Sequence, residues 1–456
     1  MAVAAALLAA LVSTAGAAGL GGPPQAVSPV AIAAGGDGSC VVTGSGGVRC
    51  WGQGEGTKPL DVIGVRDEAS TVAVGGNSCM VTKTGGAKCW GSSSTTPVDV
   101  IGLTSGVTAV AVGAGHSCAL TDAGGVRCWG FNLAGQVGDG TTNDRSTSVA
   151  VLGLQTGVKA IAAGSYHSCA LTAKGGVECW GDDYGLKPVP VSGLPSGVTA
   201  IAAGFGHSCA LTSVGAVWCW GANGDGQLGD GSPGIRAAPV NVVGLSSGVT
   251  AIAAGGEHTC ALTTSGGVQC WGADFRGELG DGTSTFAARA TPVDVVGLGS
   301  GATAIAAGDE HSCALMSNGD IKCWGRDDFG QLGDGTTAFG RWIPVGVVGY
   351  GAAAVTTLAA RSVKVSRARV APIVLRCGAG ADCNGTLTLS AQSRLGGGSF
   401  AMAPGETRPV AVKLSTRGFK QLLRVRRLTA RVSITFVQPS GTSSTATGTI
   451  TLVAPR

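Results

Sequence analysis

Seven pairs of cysteines recur in this chain at one fixed offset of ten residues: Cys40 and Cys50, Cys79 and Cys89, Cys118 and Cys128, Cys169 and Cys179, Cys209 and Cys219, Cys260 and Cys270, Cys313 and Cys323. Each second cysteine is followed by Trp-Gly, as in Cys128-Trp129-Gly130 and Cys270-Trp271-Gly272. Such a small unit cannot bury its apolar face alone. Seven copies in succession therefore constrain the chain to a stacked or circular array rather than one large core.

The third unit reads VTAVAVGAGHSCALTDAGGVRCWG from Val107 to Gly130, and the sixth, VTAIAAGGEHTCALTTSGGVQCWG from Val249 to Gly272, nearly duplicates it. Small and β-branched residues alternate, a Gly-bearing turn reverses the chain, and no helical period runs through the unit. This pattern predicts a hairpin centred on Ala123 or Ser265, with Cys118 opposite Cys128. Opposed residues at a non-hydrogen-bonded position bring their Cβ atoms close enough for a bridge, so register and disulfide support one another. Each bridge closes a short loop and is expected to contribute about 2 to 3 kcal/mol, mostly by restricting the unfolded chain.

After Trp-Gly the chain passes through a polar, Gly-rich stretch to Pro97-Val98, Pro188-Val189, Pro239-Val240, Pro292-Val293 and Pro344-Val345, which predicts a further strand per unit. First cysteines stand 39, 39, 51, 40, 51 and 53 residues apart. Four strands repeated seven times with one variable loop predict an all-β, seven-bladed β-propeller over residues 29–355. The variable loop is GQLGDGT-like in units three, five, six and seven, as at Gly226-Gln227-Leu228-Gly229-Asp230-Gly231, and absent from the others. One face of the disc is therefore expected to be uneven.

The compartment follows from the ends of the chain and from its thiols. The first 36 residues carry no charged side chain, and the apolar run AVAAALLAALV ends at Ala15-Gly16-Ala17. A small-x-small site after such a run reads as a secretory signal, residues 1–17, followed by a linker over 18–28. No Lys or Arg precedes the run, which leaves a retained membrane anchor or a displaced start codon as alternatives. All sixteen cysteines fall into close pairs, the eighth being Cys377 and Cys383. An even, paired set behind a leader fits an oxidising compartment, whereas zinc sites favour gaps of about two to four residues and four converging ligands. Structural disulfides, no metal and a secreted or cell-surface location are the expectation.

The pattern G-x-x-H-S-C-A-L-T-x-x-G-x-V-x-C-W-G-x-N-x-x-G-Q-L-G-D-G-T resembles the regulator of chromosome condensation repeat, in the cysteine-bearing version of secreted bacterial proteins. The resemblance covers residues 29 to 355 and implies a seven-bladed propeller. Members of that family include a nuclear guanine-nucleotide exchange factor, a plant light receptor and a secreted inhibitor of β-lactamases, so the family does not by itself decide function. No motif here maps onto the exchange activity.

Within the frame, five histidines take one place, two residues before the first cysteine: His116, His167, His207, His258 and His311, with Gly38 and Asn77 in the first two units. Equivalent positions on successive blades stand too far apart to share a metal, and a polar side chain satisfying backbone groups between blades is the expected role. A thiol held in a bridge cannot attack, which disfavours a Cys-His nucleophile. Trp51, Trp90, Trp129, Trp180, Trp220, Trp271 and Trp324 are expected as wedges between blades, while Trp218 and Trp342 break the pattern. The Asp-Gly loops at Asp139, Asp230, Asp281 and Asp334 lack the alternating acids and closing Glu of a calcium loop and read as turns. The residues before each His vary while their frame does not, which makes Tyr166, Phe205, Glu257, Asp309 and Glu310 the candidate binding residues.

From about Arg361 the repeat gives way to alternating strands, SVKVSRARVAPIVLRC, GTLTLSAQ, TRPVAVKL, LTARVSITF and GTITLVA. They predict a small antiparallel β-sandwich over 361–456, with STRGFKQLLRV (415–425) as a short helix or turn, and the architecture resembles immunoglobulin-like modules of actinobacterial surface proteins. Residues 361–456 hold 15 Lys or Arg against 2 Asp or Glu, whereas residues 1–360 hold 16 against 25. The basic module suits an anionic envelope polymer; without interleaved aromatic residues it does not suggest nucleic acid.

Together these readings predict a non-catalytic secreted or cell-surface propeller that binds a protein or glycan through one face, with no cofactor. Two alternatives remain: a polysaccharide-acting enzyme using Glu257, Glu278 and Glu310, and an intracellular exchange-factor-like regulator.

Overall fold

The computed structural model describes residues 29–65, 67–91, 94–350, 357–358, 362–376, 383–391, 393–402, 407–437 and 443–455. The signal and linker, 1–28, and Cys377, the first member of the eighth pair, lie outside the described residues, so that pairing does too. Two compact units are present, the second comprising Val345–Arg456 with the short segments Met316–Cys323 and Gly333–Thr336. Among the described residues no helix is long and apolar enough to cross a membrane.

Seven four-stranded antiparallel sheets form the blades of a propeller, each built from consecutive strands, so no strand is exchanged between blades. Blade three is typical, with Val107–Val112 innermost, then His116–Thr121, Val126–Gly130 and Arg145–Ala150. Its central hairpin pairs Leu120 with Val126 and Cys118 with Cys128, which centres the turn on Ala123. Six bridges, from Cys40–Cys50 to Cys260–Cys270, join residues whose Cα atoms are 4.1 Å apart, the close spacing of a non-hydrogen-bonded pair. Cys313 and Cys323 are disulfide-bonded as well.

Blades meet through a repeated wedge. The Cys118 and Cys128 side chains of blade three share a core with Trp180 and Ala170 of blade four, and those of Cys209 and Cys219 with Trp271 and Ala261. Six of the seven wedge tryptophans are at most 4% exposed; Trp129 is partly buried against blade two.

Where the GQLGDGT-like loop is present, it supplies a clasp. The main-chain carbonyl of Gln136 accepts from both Trp180 Nε1 (2.9 Å) and Ser168 Oγ (3.0 Å) of the next blade. Gln227 does the same for Trp271 and Thr259, Glu278 for Trp324 and Ser312, and Gln331 for Trp51 and Ser39. Each of those hydroxyls also meets the Nε2 of a histidine on the preceding blade, at 2.7 to 2.9 Å: His116, His207, His258 and His311. The hydroxyl's single proton is spent on the carbonyl, so Nε2–H of the imidazole donates and Nδ1 carries the lone pair. That assignment accounts for the four Nδ1 atoms left without a partner. The histidines thus reach the neighbouring backbone through a hydroxyl rather than directly, as the sequence reading had them.

The C-terminal unit is one eight-stranded sheet. Its strands are β1 (Thr357–Leu358), β2 (Ser362–Lys364), β3 (Val370–Arg376), β4 (Cys383–Ser390), β5 (Arg394–Met402), β6 (Thr407–Leu414), β7 (Arg427–Val437) and β8 (Ser443–Val453). They run in the order β1-β3-β6-β5-β4-β7-β8-β2, antiparallel except for the β2–β8 pair. Because β2 also lies against β3, the sheet nearly closes on itself around Leu375, Leu387, Val412, Val432 and Leu452. The expected antiparallel strands are there, but their ladder is continuous, and the two separate sheets of an immunoglobulin-like module are not what the pairing forms. The segment read as a helix or turn is helix α1 (Thr416–Val425), capped by Ser415 Oγ, which accepts from the Gly418 N–H.

Replacing Ser168 by Ala strands both the His116 Nε2–H and part of the Gln136 carbonyl in a buried seam. We expect a loss of about 1–3 kcal/mol, read as a lower denaturant midpoint. Ser168→Thr keeps the hydroxyl, as Thr259 does in blade six, and should retain most of the stability.

Candidate recognition face

In a four-stranded meander the connections from first to second strand and from third to fourth leave the sheet at the same end. That end carries the residues that vary between units. Around the axis the first connections begin with glycine at Gly35, Gly75, Gly113, Gly164, Gly204, Gly255 and Gly308. A Cβ on Gly164 would stand 2.3 Å from the Gly204 carbonyl oxygen and 2.5 Å from the His167 ring, so only glycine lets adjacent blades and the imidazole close up here. Main-chain hydrogen bonds then pass from blade to blade, as from Ser165 N to Gly204 O, Phe205 N to Gly256 O and Asp309 N to Gly36 O. The ring surrounds an axial cavity of about 320 Å³, whose wall includes Asp37, Gln53, Phe205 and Asp309.

Of the five candidate residues, Phe205 and Asp309 meet at this cavity. Phe205 is 42% exposed. Glu257 is exposed, and Glu310 pairs with Arg326 at 3.0 Å. Tyr166, half exposed on blade four, does not line the cavity. Two residues that the sequence reading missed, Asp37 and Arg326, organise the seam between the last blade and the first. Arg326 reaches Asp37 at 3.4 Å, Glu310 and Asp328, so one guanidinium answers three carboxylates. A signal for it existed: unit seven has Arg326-Asp327-Asp328 after Trp-Gly, where unit five has Ala222-Asn223-Gly224.

Burial and crowding shift these acids. Asp309 is pushed up to about 6 by burial first and then by the charges of Asp37 and Glu310. Burial raises Asp37 against the opposing pull of Arg326, and burial with the nearby Asp225 raises Glu257. The five histidines are driven the other way by burial, to about 3 for His116, His207 and His258 and about 4 for His167 and His311. They stay neutral and structural near neutral pH.

The long loops use their polar side chains internally. Asn132 Oδ1 accepts from Val137 N, while its Nδ2 donates to Asp139 Oδ1 and the Thr141 carbonyl. Asn223 repeats this with Leu228, Asp230 and Ser232. Asp139 and Asp230 also take an arginine each, Arg145 and Arg236. These aspartates are turn residues, occupied by their own loops. Glu278, one of three carboxylates in the enzymatic alternative, is 2% exposed and accepts from Arg276 N, so it does not face solvent with Glu257 and Glu310. Among the described residues no group of three or more His, Cys, Asp or Glu side chains is placed to hold a metal ion.

Blade six departs from this scheme. Asp274 stands where blades three and five have Asn132 and Asn223; its Oδ1 accepts from Leu279 N, and its buried Oδ2 has no partner. Burial holds the Asp274 carboxyl at about 7, opposed by the Leu279 hydrogen bond, and burial holds Glu278 at about 7 also. Folding therefore favours the protonated acids, a contribution fully present below about pH 4 and lost as pH rises through about 7. The histidines act oppositely, losing stability only as pH falls below about 6.5. Between pH 6.5 and 8 the acids set the slope, so the melting temperature is expected to fall across that window. Asp274→Asn supplies the missing N–H donor and should stabilise the protein more at pH 8 than at pH 5 by calorimetry.

Residues 30–368 match the RCC1-like domain. Among curated proteins the chain is similar to the ultraviolet-B receptor UVR8 of Arabidopsis thaliana, 37% identical over 116 residues that cover 25% of this chain and 26% of the receptor. It is similar to the regulator of chromosome condensation of Drosophila melanogaster, 37% identical over 114 residues, 24% of this chain and 21% of that protein. It is 32% identical to the human E3 ubiquitin-protein ligase HERC2 over 194 residues, 39% of this chain and 4% of the ligase. The chain thus spans at most 26% of the length of these relatives. Among solved structures it resembles Prp20p of Saccharomyces cerevisiae, a protein described with its binding to Gsp1p and histones, at a TM-score of 0.58 and 19% identity over 83% of this chain and 94% of that one. The same yeast protein bound to Kap60 gives a TM-score of 0.59 and 18% identity over 91% and 99%. Likeness at that identity speaks to the fold. With the domain match running through all seven blades, this chain belongs to the RCC1-like domain family.

Proposed function

We propose that this protein is a non-catalytic, secreted or cell-surface binding propeller that recognises a protein or a glycan through the face carrying Tyr166, Phe205, Glu257, Asp309 and Glu310. One observation carries the reading: a scaffold fixed by glycine, disulfide and clasp displays residues that differ from blade to blade around the axial cavity. Exposed Tyr166, Phe205, Phe275 and Phe329 supply anchors of the kind that dominate interfaces. Beside them the acids Asp37, Asp225, Glu257, Asp309, Glu310 and Asp328 outnumber Arg276 and Arg326, so the favoured partner presents cationic groups. Binding of Gsp1p and histones by the structurally similar Prp20p is in keeping with a protein partner. The C-terminal unit serves as the part that contacts an anionic envelope.

Capture from an envelope extract tests the face. Phe205→Ala with Glu257→Lys should reduce recovery of the partner about tenfold, consistent with loss of one anchor and one charge, while Val214→Ala, in a hairpin turn at the opposite end of its blade, leaves it unchanged. Equal recovery by both would sink the reading. The similarity to the regulator of chromosome condensation favours a second reading, an intracellular regulator, which requires reduced thiols. Intact-mass measurement of the unreduced chain is expected to show cleavage near Ala17 and every cysteine oxidised; an uncleaved chain with alkylatable thiols would replace the first reading by the second.

A further inference from the structure

Among the described residues of 362–455 there are thirteen Lys or Arg and no Asp or Glu. Among the described residues of 362–455, Arg369, Arg394 and Lys413 therefore have no carboxylate to pair with. On the outer face of that sheet an open cleft of about 410 Å³ is lined by Arg369, Arg394 and Lys413, floored by Gly396 and Gly397, and closed by Ser415 and Thr416. Strand pairing explains why the cations converge. Lys413 on β6 lies between Val370 of β3 and Gly397 of β5, and its neighbours Val412 and Leu414 point into the core, which turns Lys413 outward. A Cβ on Gly397 would stand 3.2 Å from Arg394 Nη2, so the glycine leaves the surface beside Lys413 to the guanidinium.

Arg369 completes the cleft under constraint. Its φ of 67° is left-handed, rare for a side chain of this size, and it is held by its own N–H to Ser366 O and by its carbonyl, which accepts from Leu414 N. From there Nη1 donates to Thr416 Oγ1 at 2.6 Å, at the first residue of α1. That helix has no acid in its first turn, and its N-terminal dipole adds positive potential to the same place. Away from the cleft the same face continues as hydroxyls across β4, β7 and β8: Thr388, Ser433 and Thr447 in one row, Thr386 and Thr435 in the next. Phe400 and Phe419 pack into the core, so neither offers a stacking surface for bases.

We infer that this cleft is an oxyanion-binding site, which seats a phosphate or carboxylate group of an extended polyanion while the hydroxyl rows carry the neighbouring units of the polymer. Three cations lining one cleft beside a helix N-terminus form a fork for one oxyanion, and among the described residues of 362–455 no carboxylate takes that place. The inference gives a site to the envelope-contacting role proposed above for this unit and rests on that role.

The full chain is titrated by biolayer interferometry against long-chain inorganic polyphosphate, polygalacturonate and neutral dextran. Phosphate and carboxylate recognition separate by which polymer binds more tightly; dextran should not bind. Changing Arg369, Arg394 and Lys413 together to Gln should weaken polyanion binding about tenfold or more, with a shallower salt dependence between about 50 and 200 mM. The matched change of Lys420, Arg424 and Arg427, exposed on α1 and just beyond it, should cost less than about threefold. Equal losses from the two triple variants overturn the cleft while leaving a uniformly cationic module; no binding of wild type to either polyanion overturns the envelope role as well. Tighter binding of duplex DNA than of both polymers overturns the proposal in favour of nucleic acid. If the first triple variant fails to melt like wild type, Lys413→Gln alone, at an exposed strand position, is expected to lower affinity about threefold, and an unchanged affinity counts against the cleft.

Discussion

A single main-chain carbonyl, shared by an indole and a hydroxyl from the neighbouring blade, holds each of four seams of this propeller. No strand is exchanged between blades, so nothing covalent or ladder-like ties the last blade to the first. Gln331 O, with Trp51, Ser39 and His311 gathered on and around it, closes the ring there. Each such bond is worth about 1 kcal/mol net, but in a buried seam an unmade one costs more, and that asymmetry makes the arrangement specific. Where the loop is missing, the seams improvise. Between blades four and five Tyr184 Oη accepts from Trp220 Nε1 at 2.7 Å, a side chain standing in for the carbonyl. Between blades one and two nothing does: Gly38 replaces the histidine, and the buried Trp90 Nε1 has no partner.

The same clasp explains how two sequence features depend on one another. Glycine three residues before each histidine looks like a turn residue. The structure gives it two further duties, to let the next blade's carbonyl approach and to make room for the imidazole. In the first two units, where the histidine is gone, glycine stays, because a Cβ on Gly35 would meet Val74 O at 2.0 Å. Blade spacing, not the histidine, is therefore its first requirement.

What could be read from the chain was whatever repeats within about 25 residues. Hairpin centre, cysteine register and indole wedge all follow from local period and offset, and the register of Cys118 with Cys128 is as the spacing gave it. Contacts between blades were less legible for a physical reason. A backbone carbonyl has no residue type, so the role of Gln136 O is invisible in the letter Q; the Ser or Thr after each histidine reads as frame, although it is the partner of a histidine 52 residues away in blade three. Asp37 and Arg326 lie 289 residues apart and meet only because the ring closes. In the C-terminal unit alternation announced the strands, but not that β2 returns in parallel beside β8 and draws two faces into one nearly closed sheet.

The departures from the repeat are not spread evenly. Blade three keeps Asn132 and Gln136 in its loop, and the connection before His116 is the uncharged Gly-Ala-Gly. Blades six, seven and one hold Asp274, Glu278, Glu257, Asp309, Glu310, Arg326 and Asp37 at the corresponding places. An acid in place of Asn or Gln weakens a loop at neutral pH, and three carboxylates around one arginine repel one another, so this sector gives up stability that the opposite side keeps. Disulfides in every blade and the clasp at the seams between blades six and seven and between seven and one make that sacrifice tolerable. Crowding of Asp37, Asp309 and Glu310 around Arg326 thus gathers on one side of a rigid ring, where a cationic group brought to the axial cavity would relieve it.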